Sequence, residues 1–145
     1  MNGIDLRSLL ADPSQAGTYF VDARDRLALA EAATALDFAV ATVDLAGCVG
    51  KDDAIARLAG ALGFPDWFGG NWDALADALG DLAWWPAAGH VVLLVNAGPW
   101  REAHPEEVLT LVSILDGAAD AWRSRRHPFW ALWPVPADTL EQLAP

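Results

Sequence analysis

Three carboxylates recur at four-residue intervals in the segment NWDALADALGD: Asp73, Asp77 and Asp81. On a helix, side chains four apart are neighbours, and like charges there cost roughly 0.2–0.5 kcal/mol per pair. The sequence holds no Lys or Arg between Arg57 and Arg101 that could neutralise them. Two chemical uses are open to such a row. One is acid–base catalysis by a carboxyl pair, which requires that one member sit in a desolvated cleft with a raised pKa. The exposed stripe of a single helix does not provide that. The other is attraction of a cationic group from outside the chain. The alternative without function is a stripe that simply faces water. Asp73 needs no function in any case, because a carboxylate in a first helical turn is stabilised by the helix dipole. Asp77 and Asp81 gain little from that source.

The remaining reactive residue types do not assemble a catalytic pattern. His90, His104 and His127 are scattered and lack metal-ligand spacing. His90 and His127 fall at strand edges, where a surface or hydrogen-bonded structural role is expected. Cys48 is the only cysteine and has no nucleophile motif around it, so neither a disulfide nor a multi-cysteine metal cluster can form within the chain. Ser8, Ser14, Ser113 and Ser124 have no G-x-S-x-G context. Gly69-Gly70-Asn71 follows a helix rather than a strand, which is the wrong setting for a phosphate loop. The reading is of a protein without catalytic residues, metal or cofactor.

What does stand beside the acidic row is aromatic. Trp67 and Phe68 lie in the loop immediately before it, next to two glycines. A loop aromatic flanked by carboxylates has the composition of a binding surface, with an anchor and a charge. The overall balance agrees: 20 acidic against 9 basic residues, a formal charge of −11. Nucleic-acid binding demands a basic surface and is disfavoured, as are anionic membranes. An acidic surface attracts cationic partners, although it also serves solubility.

The elements that must position these residues follow from periodicity and punctuation. The chain has 145 residues, of which 54% are hydrophobic, enough for one domain with a real core. Eight tryptophans must be buried or at an interface; Trp84, Trp85 and Trp100 are candidates for an exposed self-association surface. No apolar window approaches the ~18 residues of a membrane span, and the segment MNGIDLRSLLADPSQ does not read as a signal peptide. A cytoplasmic location is the expectation.

Ile4–Leu10 reads as a short helix closed at Asp12-Pro13, Thr18–Val21 as a strand and Ala23–Leu36 as a helix. Phe38–Val43 is a second strand and Lys51–Leu62 a second long helix, ended by Gly63-Phe64-Pro65. Asn71 is placed to cap a helix over Trp72–Leu82, with Trp72, Leu75, Ala76, Leu79 and Leu82 on its apolar face and the aspartates opposite. His90–Val95 is a strand buried on both sides. A helix from Pro105 to about Arg125 follows, then a last strand, Phe129–Trp133, stopped by Pro134 and Pro136. Strands separated by helices require a parallel sheet, so the fold class is α/β with about four strands.

The contiguous segment LGFPDWFGGNWDALADAL resembles the barstar family of small inhibitors of extracellular ribonucleases such as barnase. The resemblance rests on Leu62, Phe64, Pro65, Asp66, Trp67, Phe68, Gly69, Asn71, Asp73, Ala74, Leu75 and Asp77, and the element order from Phe38 to Trp133 follows the family layout. It implies a small parallel sheet of three core strands, to which residues 1–36 add an N-terminal extension with one further strand. Residues 37–136 would form the family domain and residues 137–145 a tail. It also implies that Asp73 and Asp77 enter a basic active site and meet Arg, Lys and His side chains there. Trp67 would pack on the rim of the enzyme, with Gly69 and Asn71 shaping the loop.

The expected partner surface is therefore Trp67, Phe68, Gly69, Gly70, Asn71, Asp73, Ala76, Asp77 and Asp81. The expected function is intracellular inhibition of a basic ribonuclease. The alternative is a binding module of the same fold with a cationic partner that is not a nuclease. The chain departs from the family pattern at Ala76, where a tryptophan is usual, and at Gly70, where an acid sometimes stands. A glutamate from the later helix has no match, with Asp116 and Gly117 nearest, and Ala78 replaces a cysteine.

Overall fold

A computed structural model of the protein describes residues 5–143. Its centre is one sheet of four parallel strands: β1 (Thr18–Asp22), β2 (Ala39–Asp44), β3 (His90–Val95) and β4 (Phe129–Val135). The spatial order is β1-β4-β3-β2, so the N-terminal strand is an edge and β3 and β4 are central. The expected α/β class and the additional N-terminal strand are both present. Helices are α1 (Leu6–Ala11), α2 (Arg26–Ala35), α3 (Lys51–Leu62), α4 (Trp72–Asp81), α5 (Gly98–Ala103), α6 (Pro105–Arg123) and α7 (Ala137–Leu143).

Side chains alternate across a strand, and the two faces of this sheet carry two separate cores. Ala41, Val43, Val92, Leu94, Phe129, Ala131 and Trp133 point to the face covered by α3, α4 and α6. Val91, Leu93, Val95, Trp130 and Leu132 point to the other, where Leu10 of α1 and Leu29, Ala32 and Ala33 of α2 complete the packing. All six residues of β3 are buried, as its unbroken apolar run requires. The N-terminal segment therefore supplies one edge strand and the lid of one whole face.

Several expectations are corrected. Helix α5 and helix α7 were not anticipated; residues 137–143 of the expected tail are helical, and residues 144 and 145 lie outside the described residues, as does Ile4 at the expected start of α1. β4 continues through Pro134 to Val135. Proline lacks the N–H a central ladder needs, but β3 stops pairing with β4 at Leu132, so Pro134 has only β1 beside it. On α4 the buried set is Leu75, Ala78 and Leu79, followed by Leu82. Ala76 is exposed and Trp72 only half-buried. The helix is rotated relative to the expected face because α6 packs against it, with the Trp122 indole Nε1 donating to the Leu79 carbonyl at 2.8 Å. Trp100, a candidate surface residue, is a core side chain whose Nε1 donates to Glu107 Oε1 at 3.1 Å.

Candidate functional site

The acidic helix begins where its sequence says it must. Asn71 is extended, and its Oδ1 accepts from the Ala74 amide at 2.7 Å, satisfying one of the four orphan N–H groups of a helix start. Ahead of it, Gly63 ends α3 in the left-handed conformation at φ +68° and Gly70 turns the chain again at φ +74°. Both positions favour glycine, because a Cβ is disfavoured there. Between these turns the loop folds onto its own aromatics. The Phe64 ring meets Phe68 edge-on at 4.7 Å and Trp84 at 5.4 Å, and Trp67 meets Trp84 at 6.0 Å.

Phe68 is thus half-buried against the core, not a projecting anchor. Trp67 is the side chain that projects: 67% of it is exposed. Gly69 lies under the helix start, where a Cβ would contact that of Ala74 at 3.4 Å.

Asp73, Asp77 and Asp81 are all exposed, as is Ala76 between them. None of the three carboxylates accepts a hydrogen bond or lies within 4.0 Å of a cationic nitrogen among the described residues. At 1.5 Å rise per residue, the row runs about 12 Å along the helix. Nearby arginines are engaged elsewhere. Arg57 bridges Asp53 at 2.9 Å and the carbonyls of Asp44 and Ala46. Arg125 lies over the Trp122 ring and donates to the Gly80 carbonyl at 3.1 Å. A shallow notch of about 380 Å³ adjoins the row, between the starts of α3 and α4, lined by Lys51, Asp52, Ile55, Asn71, Trp72 and Asp73.

The other candidates are structural. His90 is buried and hydrogen-bonded, the second of the two roles its position allowed. Cys48 donates to the Gly50 carbonyl at 3.4 Å, and burial pushes its thiol above the ordinary range, which suits an unreactive sulfur. Among the described residues, no three His, Cys, Asp or Glu side chains gather in a way that could hold a metal ion. No described helix is long and apolar enough to cross a membrane.

A family model described as "Barstar (barnase inhibitor)" matches residues 38–133, well over half of the chain. The chain belongs to the barstar family. The match opens at Phe38, immediately before β2, and closes inside β4, so it spans the loop, the acidic helix and the core beneath them. α1, β1 and α2 lie outside it. No curated protein matches the chain.

Sequence reasoning named Trp84 only as a candidate for self-association and missed its place behind the loop. It is half-buried, and its indole Nε1 donates to the Leu62 carbonyl at 3.2 Å. Its place behind Trp67 depends on the turn at Leu82, a non-glycine residue at φ +49°, which no local pattern announces. Asp116, the nearest substitute for the family's later-helix glutamate, lies beside Gly17 at the entry to β1.

Proposed function

We propose that this barstar-family chain is a cytoplasmic inhibitor of a basic ribonuclease, acting by occupation of the active site. The observation that carries this reading is the unpartnered carboxylate row on α4 beside an exposed tryptophan. Asp73, Asp77 and Asp81 repel one another in the free protein, and among the described residues no cationic nitrogen lies within 4.0 Å of any of them. A cleft built to hold RNA phosphates offers Lys, Arg and His at comparable spacing. Asp73 and Asp77 take the place of phosphates there, Trp67 packs on the rim, and Phe68, Gly69, Gly70 and Asn71 hold the loop in shape. Ala76 leaves room between the aspartates for a bulkier partner side chain. RNA is excluded by volume and charge, and no bond is made or broken.

Association is steered by charge, so its rate falls as salt rises past the ~10 Å screening length of 0.1 M. The test is RNA cleavage by barnase-type ribonucleases titrated with the protein. Wild type is expected to inhibit, and the Asp73→Ala/Asp77→Ala double variant to lose inhibition. Equal inhibition by both would remove the site. Failure to inhibit any such enzyme, with capture of a different cationic protein through the same aspartates, would favour a non-nuclease partner.

A further inference from the structure

His90 is the only polar or charged side chain among the buried residues described, at 2% exposure. It opens β3, and both of its ring nitrogens are committed. Nε2 lies 2.6 Å from the Trp85 carbonyl oxygen, and Nδ1 lies 2.8 Å from Nε2 of His127. A carbonyl can only accept, so His90 carries its proton on Nε2. In the neutral ring Nδ1 is then bare, and it accepts from the Nε2–H of His127.

The proton count decides what this pair tolerates. Two ring protons, one per histidine, satisfy both bonds with no charge. A third gives a cation, buried if it falls on His90 and half-buried if it falls on His127. No carboxylate among the described residues lies within 4.0 Å of either ring to balance it; the His ion pair present is the separate one between His104 and Glu106. The elements around the pair are α6, the 124–128 turn, β4 and the segment after α4. They present Trp122, Arg125, Phe129 and Trp85, and the one charge among them is another cation. A fourth proton sets two N–H groups face to face and breaks the His–His bond outright.

What the pair holds is the frame of the acidic surface. Trp85 follows Trp84, which backs Phe64 and Trp67. The His127 amide donates to the Trp122 carbonyl at 3.1 Å, its ring packs on the Trp122 indole at 4.4 Å, and that indole donates to Leu79 of α4. Both supports of α4's last turns therefore converge on two imidazoles.

We propose that the His90–His127 pair is a pH-sensitive clasp on α4 and its aromatic loop: closed when both rings are neutral, and opened by acid. The clasp belongs to the free protein and acts whatever partner the surface takes. The rings resist protonation. His90 is held below the ordinary histidine value by burial, and His127 by burial first, then by His90 and Arg125. Unfolded histidines titrate near 6.5. Clasp stability is thus fully present above that pH and is lost as pH falls toward the lowered native values, where the unfolded state binds the extra protons. For each proton so taken up, the folded-to-unfolded ratio falls roughly tenfold per pH unit within that window.

The test uses the full chain without partner. Imidazole ¹⁵N spectra at pH 8 should show both rings as Nε2–H tautomers. Urea midpoints measured from pH 7.5 to 5 should fall for wild type and fall about half as steeply for His127→Gln. Protection of the Trp84 indole proton against exchange, taken relative to an unfolded reference at each pH, should fall with acid before global unfolding. An Nδ1–H tautomer at His90, parallel midpoint curves for wild type and His127→Gln, or Trp84 exchange that follows only global unfolding would each overturn the clasp. The spectra are read on wild type, so they decide even if a variant fails to fold.

Discussion

The indole Nε1 of Trp84 donates to the carbonyl oxygen of Leu62, tying the chain that leaves α4 to the last residue of α3. The loop between those helices carries Trp67 and the turn into Asn71. Its first end is therefore fastened by a side chain from beyond α4, twenty-two residues from its acceptor. Trp84 has two separable roles, a hydrogen bond and a packing surface. Trp84→Phe keeps much of the surface and loses the bond, and should cost about 0.5–1.5 kcal/mol in urea unfolding. Trp84→Ala loses both, should cost more, and should raise the exchange rate of loop amides between Gly63 and Asn71. Loop exchange unchanged in the alanine variant would show that the loop holds itself.

The same substitution at two aspartates should have opposite signs in the free protein. Asp77 sits between two like charges, so Asp77→Asn relieves two repulsive pairs and should stabilise by roughly 0.4–1 kcal/mol. Asp73 lies in the first turn, where a carboxylate gains about 0.3–1 kcal/mol from the helix dipole. Asp73→Asn gives up that gain against relief of one pair, and should be neutral or destabilising. Thermal or urea unfolding at low salt measures both. In inhibition assays the two changes should agree in sign, each weakening the complex by about 2–5 kcal/mol where the charge is desolvated on binding. A surface selected only for solubility would show the stability gain at 77 without the loss of binding.

Asn71 offers a sharper local probe. Its Oδ1 holds the Ala74 amide, and Gly70 before it occupies the left-handed region. Asn71→Ala should cost about 0.5–2 kcal/mol, Asn71→Ser much less, since serine can still cap. The ordering, read from urea midpoints, distinguishes capping from any side-chain contact that a serine could not reproduce.

The division between what the sequence disclosed and what it withheld has physical causes. β3 was legible because the five-residue apolar run Val91–Val95, between His90 and Asn96, has few other conformations. The start of α4 was legible because Asn71 and the following carboxylate are local signals, and the carboxylate row because its spacing alone fixes its face. α5 is a single short turn of GPWREA whose tryptophan is buried by tertiary packing, a contact local pattern cannot show. Ala76 and Ala78 exchanged places because alanine is too small to mark a face; α6 decides which one it covers. Pro134 was read as a stop, and only the strand register shows that it has β1 alone beside it. The histidine pair was the least legible feature, since its members lie thirty-seven residues apart and meet only once β3 and β4 lie side by side.

That dependence on long-range packing is strongest at the N-terminus, which the family match leaves out. α1 and α2 cover Val91, Leu93, Val95, Trp130 and Leu132, and the bond that closes this face is buried: Trp130 Nε1 donates to the Leu10 carbonyl at 2.9 Å. Arg123 of α6 adds a bond at 2.6 Å to the Ala16 carbonyl, so the segment is also fastened to the opposite side of the sheet. Removing residues 1–37 would expose five large apolar side chains on one flat face, strip an edge strand from β4 and remove the acceptor of the Trp130 indole N–H. Each large side chain is worth roughly 1.5–3 kcal/mol when buried, so the total loss, about 7.5–15 kcal/mol, is comparable with the whole 5–15 kcal/mol by which domains are ordinarily stable. The truncated chain should therefore aggregate or bind a hydrophobic dye, even though every residue of the acidic surface is retained. Light scattering and urea unfolding check this. A soluble, cooperatively unfolding 38–145 fragment would show instead that the matched region carries its own fold and that the extension is an ornament on it.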